Sequence, residues 1–224
     1  MVTTGSGVQR WIRVWDLPTR ICHWGIVILF AACWWTVDAG YMRWHLFAGY
    51  GALGLVVFRI VWGFVGGQTA RFGSFVCGPA GVWRYARKLF RRDGDASLGH
   101  NPLGAISIIV MLSLLLSQTA LGLFVVNDDG GASGPLSQWV SYGTGRNFAH
   151  WHAFNFNLLL ILVGLHLAAI VFYRLFHGER LISAMIHGYK SHRSSGETPY
   201  FVPLWRAALL VVPILVGIVL LVRI

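Results

Sequence analysis

The sequence predicts an all-α integral membrane protein, a four-helix transmembrane bundle with a fifth transmembrane helix at its C-terminus. Three observations lead there. Hydrophobic residues make up 56% of the 224 and charged residues only 12%, about half the charged share of a soluble domain. Mean hydropathy is +0.61, and 11 Trp and 14 Phe stand among long Leu, Val and Ile runs. The apolar residues also gather into five runs, each close to the roughly 20 residues that cross a bilayer core.

The first run, 21–37, follows a head containing Trp11, Trp15 and Asp16, and Asp16 with Pro18 marks a helix start. Trp34 and Trp35 stand where a cleavable signal would need small residues, so the run reads as an uncleaved span. The second run covers 45–65. The third, 103–126, opens on Pro102 after His100 and Asn101, a proline at a first helical position. The fourth covers 152–176 and the fifth 204–222. Lipid offers no partner to a free backbone group, so each must be helical. The expected organisation is a four-span domain over 1–200 and an additional helix over 201–224. Between spans, 84–92 (RYARKLFRR) reads as an amphipathic helix on anionic headgroups. The Gly/Ser-rich 127–149 segment suits a lid or a docking surface, or more simply a solvated connection.

Net charge is +10, yet nucleic acid is not the expected partner, because the basic residues sit in short loops between apolar runs. Arg10, Arg13 and Arg20 precede the first span. Arg71, Arg84, Arg87, Lys88, Arg91 and Arg92 fall between the second and third, and Arg174, Arg180, Lys190 and Arg193 follow the fourth. With Arg59 and Arg206 at nearby helix ends, 15 of the 18 Lys and Arg lie on one side, against Arg43, Arg146 and Arg223. That asymmetry places the N-terminus in the cytoplasm. Cys22, Cys33 and Cys77 form no CxxC and no CxxCH, which excludes covalent haem attachment and argues against a disulfide framework.

Of the nine histidines, His177, His187 and His192 fall in a basic loop and read as solvated. His23, His45, His152 and His166 lie within spans or at their mouths, where an ionisable group is costly and usually functional. His152 and His166 are 14 residues apart, which on a helix means one face and about 21 Å along the axis. His150 stands about 160° from His166 and points elsewhere. Two same-face imidazoles four turns apart suit one axial ligand for each of two stacked b haems, since a low-spin haem takes two neutral imidazoles. Zinc, which gathers four ligands at one point, does not fit that separation. Depth pairs His45 with His152 at the outer surface and His23 with His166 toward the inner one. Gly49, Gly51, Gly54 and Gly164 would let a macrocycle approach, or simply pack helices. Arg20, Arg59 and Arg71 are candidates for the propionates, or equally for snorkelling to lipid phosphate. His100 and Asn101 are polar candidates for a quinone at the inner mouth of the third span.

The segments VWDLPTRICHWGIVILF, WHLFAGYGALGLVVFRIVWGFVG, ARFGSF, GHNPLG and FNFNLLLILVGLHLAAIVFYRL together resemble the bacterial di-haem cytochrome b family that includes nickel–iron hydrogenase b-type subunits. The resemblance runs over about 11–190. It implies haem ligands on the first, second and fourth spans, two of them on the fourth, and these fall on His23, His45, His152 and His166. It also implies electron transfer between a membrane quinone and a redox partner on the outer face, a hydrogenase-like enzyme or a c-type cytochrome. The fifth span and the HWH at 150–152 depart from the family pattern. The expected function is therefore an electron-transfer subunit, not a self-contained enzyme, with two haem b and an exchangeable quinone. A stand-alone superoxide:quinone oxidoreductase, as in one branch of the family, is the alternative. It would need a cationic outer pocket, and Arg43 and Arg146 stand against Asp38, Asp128 and Asp129. A membrane anchor with structural histidines is a third reading.

Overall fold

The computed structural model describes residues 9–90, 99–128, 132–193 and 198–223; Arg91, Arg92 and Asp129, counted above, lie outside them. Five helices are long and apolar enough to cross a membrane: α1 (Leu17–Asp38), α2 (Met42–Val65), α5 (Pro102–Leu123), α6 (Tyr142–Phe176) and α8 (Leu204–Val222). Short helices α3 (Phe72–Phe75), α4 (Pro79–Lys88) and α7 (Leu181–His187) join them, with strands β1 (Gln9–Arg13) and β2 (Tyr189–Arg193).

The helix starts follow local chemistry. Asp16 caps α1, its Oδ1 accepting from the Thr19 backbone N–H at 2.8 Å, with Pro18 in the first turn. Asn101 caps α5 through Gly104 N–H at 2.7 Å, and Pro102 follows it. Each side chain satisfies a donor that the first turn leaves free. Asp16 is 2% exposed and also accepts from Trp62 Nε1 at 3.0 Å, tying the start of α1 to the end of α2.

α6 differs most from the sequence expectation. It begins at Tyr142, ten residues before the expected start, and runs 35 residues, about 52 Å at helical rise. Ser141 caps it, its Oγ accepting from Thr144 N–H at 3.2 Å. Gly145 lies against Val126 so closely that a Cβ would come within 2.2 Å of it. The expected solvated connection is therefore shorter, and it contains a 3-10 turn at Ser137–Trp139. β1 and β2 pair antiparallel, with Trp11 opposite Ser191. They bring the N-terminal segment beside α7 on the basic side of the molecule, and Val14 N–H bonds the Gly188 carbonyl at 2.7 Å.

α1 packs on α2, α2 on α5 and α5 on α6, while α8 packs on α2. One buried cluster, Val56, Leu115 and Leu159, joins the second, third and fourth spans. Another, Cys22, Phe58, Trp62, Ala70, Val202 and Ala207, draws in the fifth. Gly54 serves this last contact: a Cβ there would meet Ile218 Cδ1 at 2.7 Å. Gly51 likewise packs against Leu29. These two glycines pack helices, whereas Gly49, on the His45 face, opens onto free space. Gly164 also meets open space, but it stands two residues from His166, about 160° around the helix.

Candidate haem-binding site

On the side away from the N-terminus, α2 and α6 bring His45 and His152 together with ring centroids 6.1 Å apart and planes at 80°. Each ring is fixed by a backbone carbonyl of its neighbouring helix. His45 Nδ1 donates to Cys33 O at 3.0 Å, and His152 Nδ1 to Gln118 O at 2.9 Å. A carbonyl only accepts, so both rings carry the proton on Nδ1, and both Nε2 atoms keep a free lone pair. Two imidazoles bonded through Nε2 to one metal ion, at about 2 Å each, place their centroids about 6 Å apart. The pair therefore fits bis-imidazole ligation of a haem, with the second hydrogen bond that ligating histidines usually make already in place.

The surroundings of His152 add detail that no spacing rule exposes. Gly122 on α5 lets the ring reach the Gln118 carbonyl: a Cβ there would stand 3.1 Å from His152 Cε1 and 3.4 Å from Nδ1. Asn155, one turn along α6, donates to Leu114 O at 2.9 Å and to Gln118 Oε1 at 2.7 Å, holding α5 and α6 in register beside the ring. Asn155 was visible as a polar residue inside an apolar run; Gly122 and the two carbonyls carried no signal. His150 is exposed, its ring against Trp151, as the helical phase requires.

Toward the basic side, His23 on α1 lies within electrostatic range of His166 on α6 and of Arg59 on α2. His23 Nδ1, Thr19 Oγ1 and His100 Nδ1 are buried side-chain atoms without a hydrogen-bond partner among the described residues. Thr19 and His23 are four apart and so share a face of α1. Buried orphaned polar atoms cost free energy, a cost that a polar-edged group bound between the helices would relieve. Arg59, 7% exposed, donates to Ala70 O at 3.4 Å and lies 5.4 Å over the Phe72 ring. Among the described residues it forms no ion pair. Arg20 and Arg71 are otherwise engaged, Arg20 with the Met185 and Ile186 carbonyls and Arg71 with Gly66 O.

His100 sits just before α5 with its ring 4.5 Å from Trp15 and 4.6 Å from Phe75. Burial pushes its imidazole down to about 3, with repulsion from Arg59, His166 and His23 adding to it, so the ring is neutral. Asn101 is committed to capping α5 and to Tyr173. His177, expected to be solvated, instead bonds the Leu89 carbonyl through Nε2 at 3.0 Å. Arg146, one of the two outer-loop cations, is paired with Asp128 at 3.0 Å. Among the described residues no three His, Cys, Asp or Glu converge on one point.

Residues 14–188 match the prokaryotic cytochrome b561 family. The chain belongs to that family. It is similar to the "Probable Ni/Fe-hydrogenase 1 B-type cytochrome subunit" of Escherichia coli (strain K12), 26% identical over 216 residues that cover 80% of this chain and 91% of that one. It is similar also to the "Probable Ni/Fe-hydrogenase B-type cytochrome subunit" of Bradyrhizobium diazoefficiens, 24% identical over 214 residues, with 81% and 87% covered. No solved structure matches it at a significant level. This cytochrome is thus a multi-pass bacterial membrane protein of electron transfer that holds haem b, its five apolar helices those of an all-α integral membrane protein.

Proposed function

We propose that the chain is a di-haem subunit carrying electrons between the quinone pool and a redox protein on the outer face of the inner membrane, with its N-terminus in the cytoplasm. His45 and His152 would hold an outer haem, and His23 and His166 an inner one. The observation that carries this reading is the His45–His152 pair, 6.1 Å between centroids with each Nδ1 already bonded to a carbonyl. The proteins it resembles are named as Ni/Fe-hydrogenase subunits, which makes a hydrogenase-type enzyme the partner proposed. The 15-to-3 division of Lys and Arg supports the orientation.

When bound, haem b supplies a one-electron carrier whose potential the protein tunes. The chain's residues do the rest. Backbone carbonyls at Cys33 and Gln118 orient the outer imidazoles and raise their basicity. Arg59, a buried cation in a low-dielectric setting, stands where it would neutralise a propionate of the inner haem. His100 and Asn101 flank the inner mouth, and the enclosed neutral ring of His100 offers a hydrogen bond to a quinone carbonyl. The pyridine haemochrome assay on fully loaded protein should return two b haems per chain. One haem per chain would refute the paired arrangement.

A further inference from the structure

We infer that α4 is a binding site for an anionic phospholipid, holding the lipid phosphate on one sector of the helix and its acyl chains on the adjoining one. The inference stands on the membrane-spanning character of the chain and is independent of the haem assignment.

At about 100° per residue, α4 divides into three sectors. Val82, Tyr85 and Ala86, continued by Leu89 just past the helix end, share the side turned to the protein. Tyr85 Oη hydrogen-bonds Tyr173 Oη at 3.1 Å, and the Leu89 carbonyl accepts from His177 Nε2, so two polar bonds staple this side to the end of α6. Arg84, Arg87 and Lys88 span an arc of about 100° on the opposite side. All three are exposed, and among the described residues none has a carboxylate partner. Along one edge of the basic arc stand Trp83, 67% exposed, and Phe90, just past the helix end, 78% exposed.

The neighbouring sectors identify the occupant. A basic arc alone would accept any anion. A basic arc bordered by two bare aromatic rings, on a helix stapled to the end of a transmembrane span, fits a ligand with phosphate and hydrocarbon in one molecule. Trp83 and Phe90 enter the acyl boundary, where aromatic rings are favoured, and the three cations meet the headgroup phosphate above it.

The test reconstitutes the intact haem-loaded protein in phosphatidylethanolamine–phosphatidylglycerol bilayers and measures lipid association by spin-labelled phosphatidylglycerol against spin-labelled phosphatidylcholine. The native chain should prefer the anionic label, and R84Q/R87Q/K88Q should lose most of that preference with the haem spectrum unchanged. Raising the ionic strength should weaken the preference of the native protein, a readout that does not depend on the variant folding. Inorganic phosphate, exchanged for chloride at constant ionic strength, should not displace the lipid label. Undiminished preference in the triple variant or at high salt, or displacement by inorganic phosphate, would overturn the proposal.

Discussion

Replacing His152 by alanine should leave one haem b per chain where the intact protein holds two. His152 is fixed by the Gln118 carbonyl on α5 and faces His45 at 6.1 Å, so its removal leaves His45 without that facing imidazole. The neighbouring His150 is exposed and turned away, so His150→Ala should retain both haems. A low-spin haem deprived of one axial imidazole is weakly held or turns high-spin. Haem content and the optical spectrum of the two variants read the difference directly. Loss of a haem in His150→Ala, with both kept in His152→Ala, would place the helix two residues out of register.

Gly122→Val should loosen the same haem without touching a ligand. The glycine's missing Cβ is what admits the His152 ring, since a methyl there would stand 3.1 Å from Cε1, tighter than a comfortable carbon–carbon contact of about 3.5–4 Å. Alanine asks the ring to give by a few tenths of an ångström, about the limit such packing tolerates. The branched valine displaces it from the Gln118 carbonyl. Removing the outer hydrogen bond of a ligating histidine typically weakens metal affinity by about 10–100-fold, and the rate of haem loss to an apomyoglobin trap measures it. Gly164→Ala, which meets open space within 4 Å on another face of α6, is the matched control and should lose haem at the native rate. Equal loss from both variants would mean that Gly122 matters only to helix packing.

Much of the scaffold was legible because the physics that sets it is local or periodic. Apolar runs gave all five spans, and Asp16–Pro18 and Asn101–Pro102 announced the starts of α1 and α5 through capping chemistry that the structure contains. The first ten residues of α6, Tyr142–Trp151, were hidden. Gly143, Thr144, Gly145 and Asn147 make a composition that reads as loop, and it turns helical where Gly145 meets Val126. β1 and β2 were missed for a related reason, since five-residue strands of mixed polarity are specified by their partner and not by a pattern of their own. At the site, helical phase singled out His152 over His150. The rest depends on groups that leave no trace in a sequence: the carbonyls of Cys33 and Gln118, the space over Gly122, and the Leu89 carbonyl that engages His177. Arg20 illustrates the converse. Its position near the inner end of α1 suited a propionate, yet the C-terminal carbonyls of α7 fold back to occupy its guanidinium.

The central claim is that two haems are held by separate histidine pairs on opposite sides of the bilayer. Redox titration followed by optical spectra, applied in parallel to His23→Ala, His166→Ala and His45→Ala, tests it most directly. The proposal predicts that the first two variants lose the same haem component and keep the same survivor, and that His45→Ala loses the component which survived in both. If His23→Ala and His45→Ala delete one and the same component, the two histidines share a haem, and the paired arrangement across the membrane is wrong.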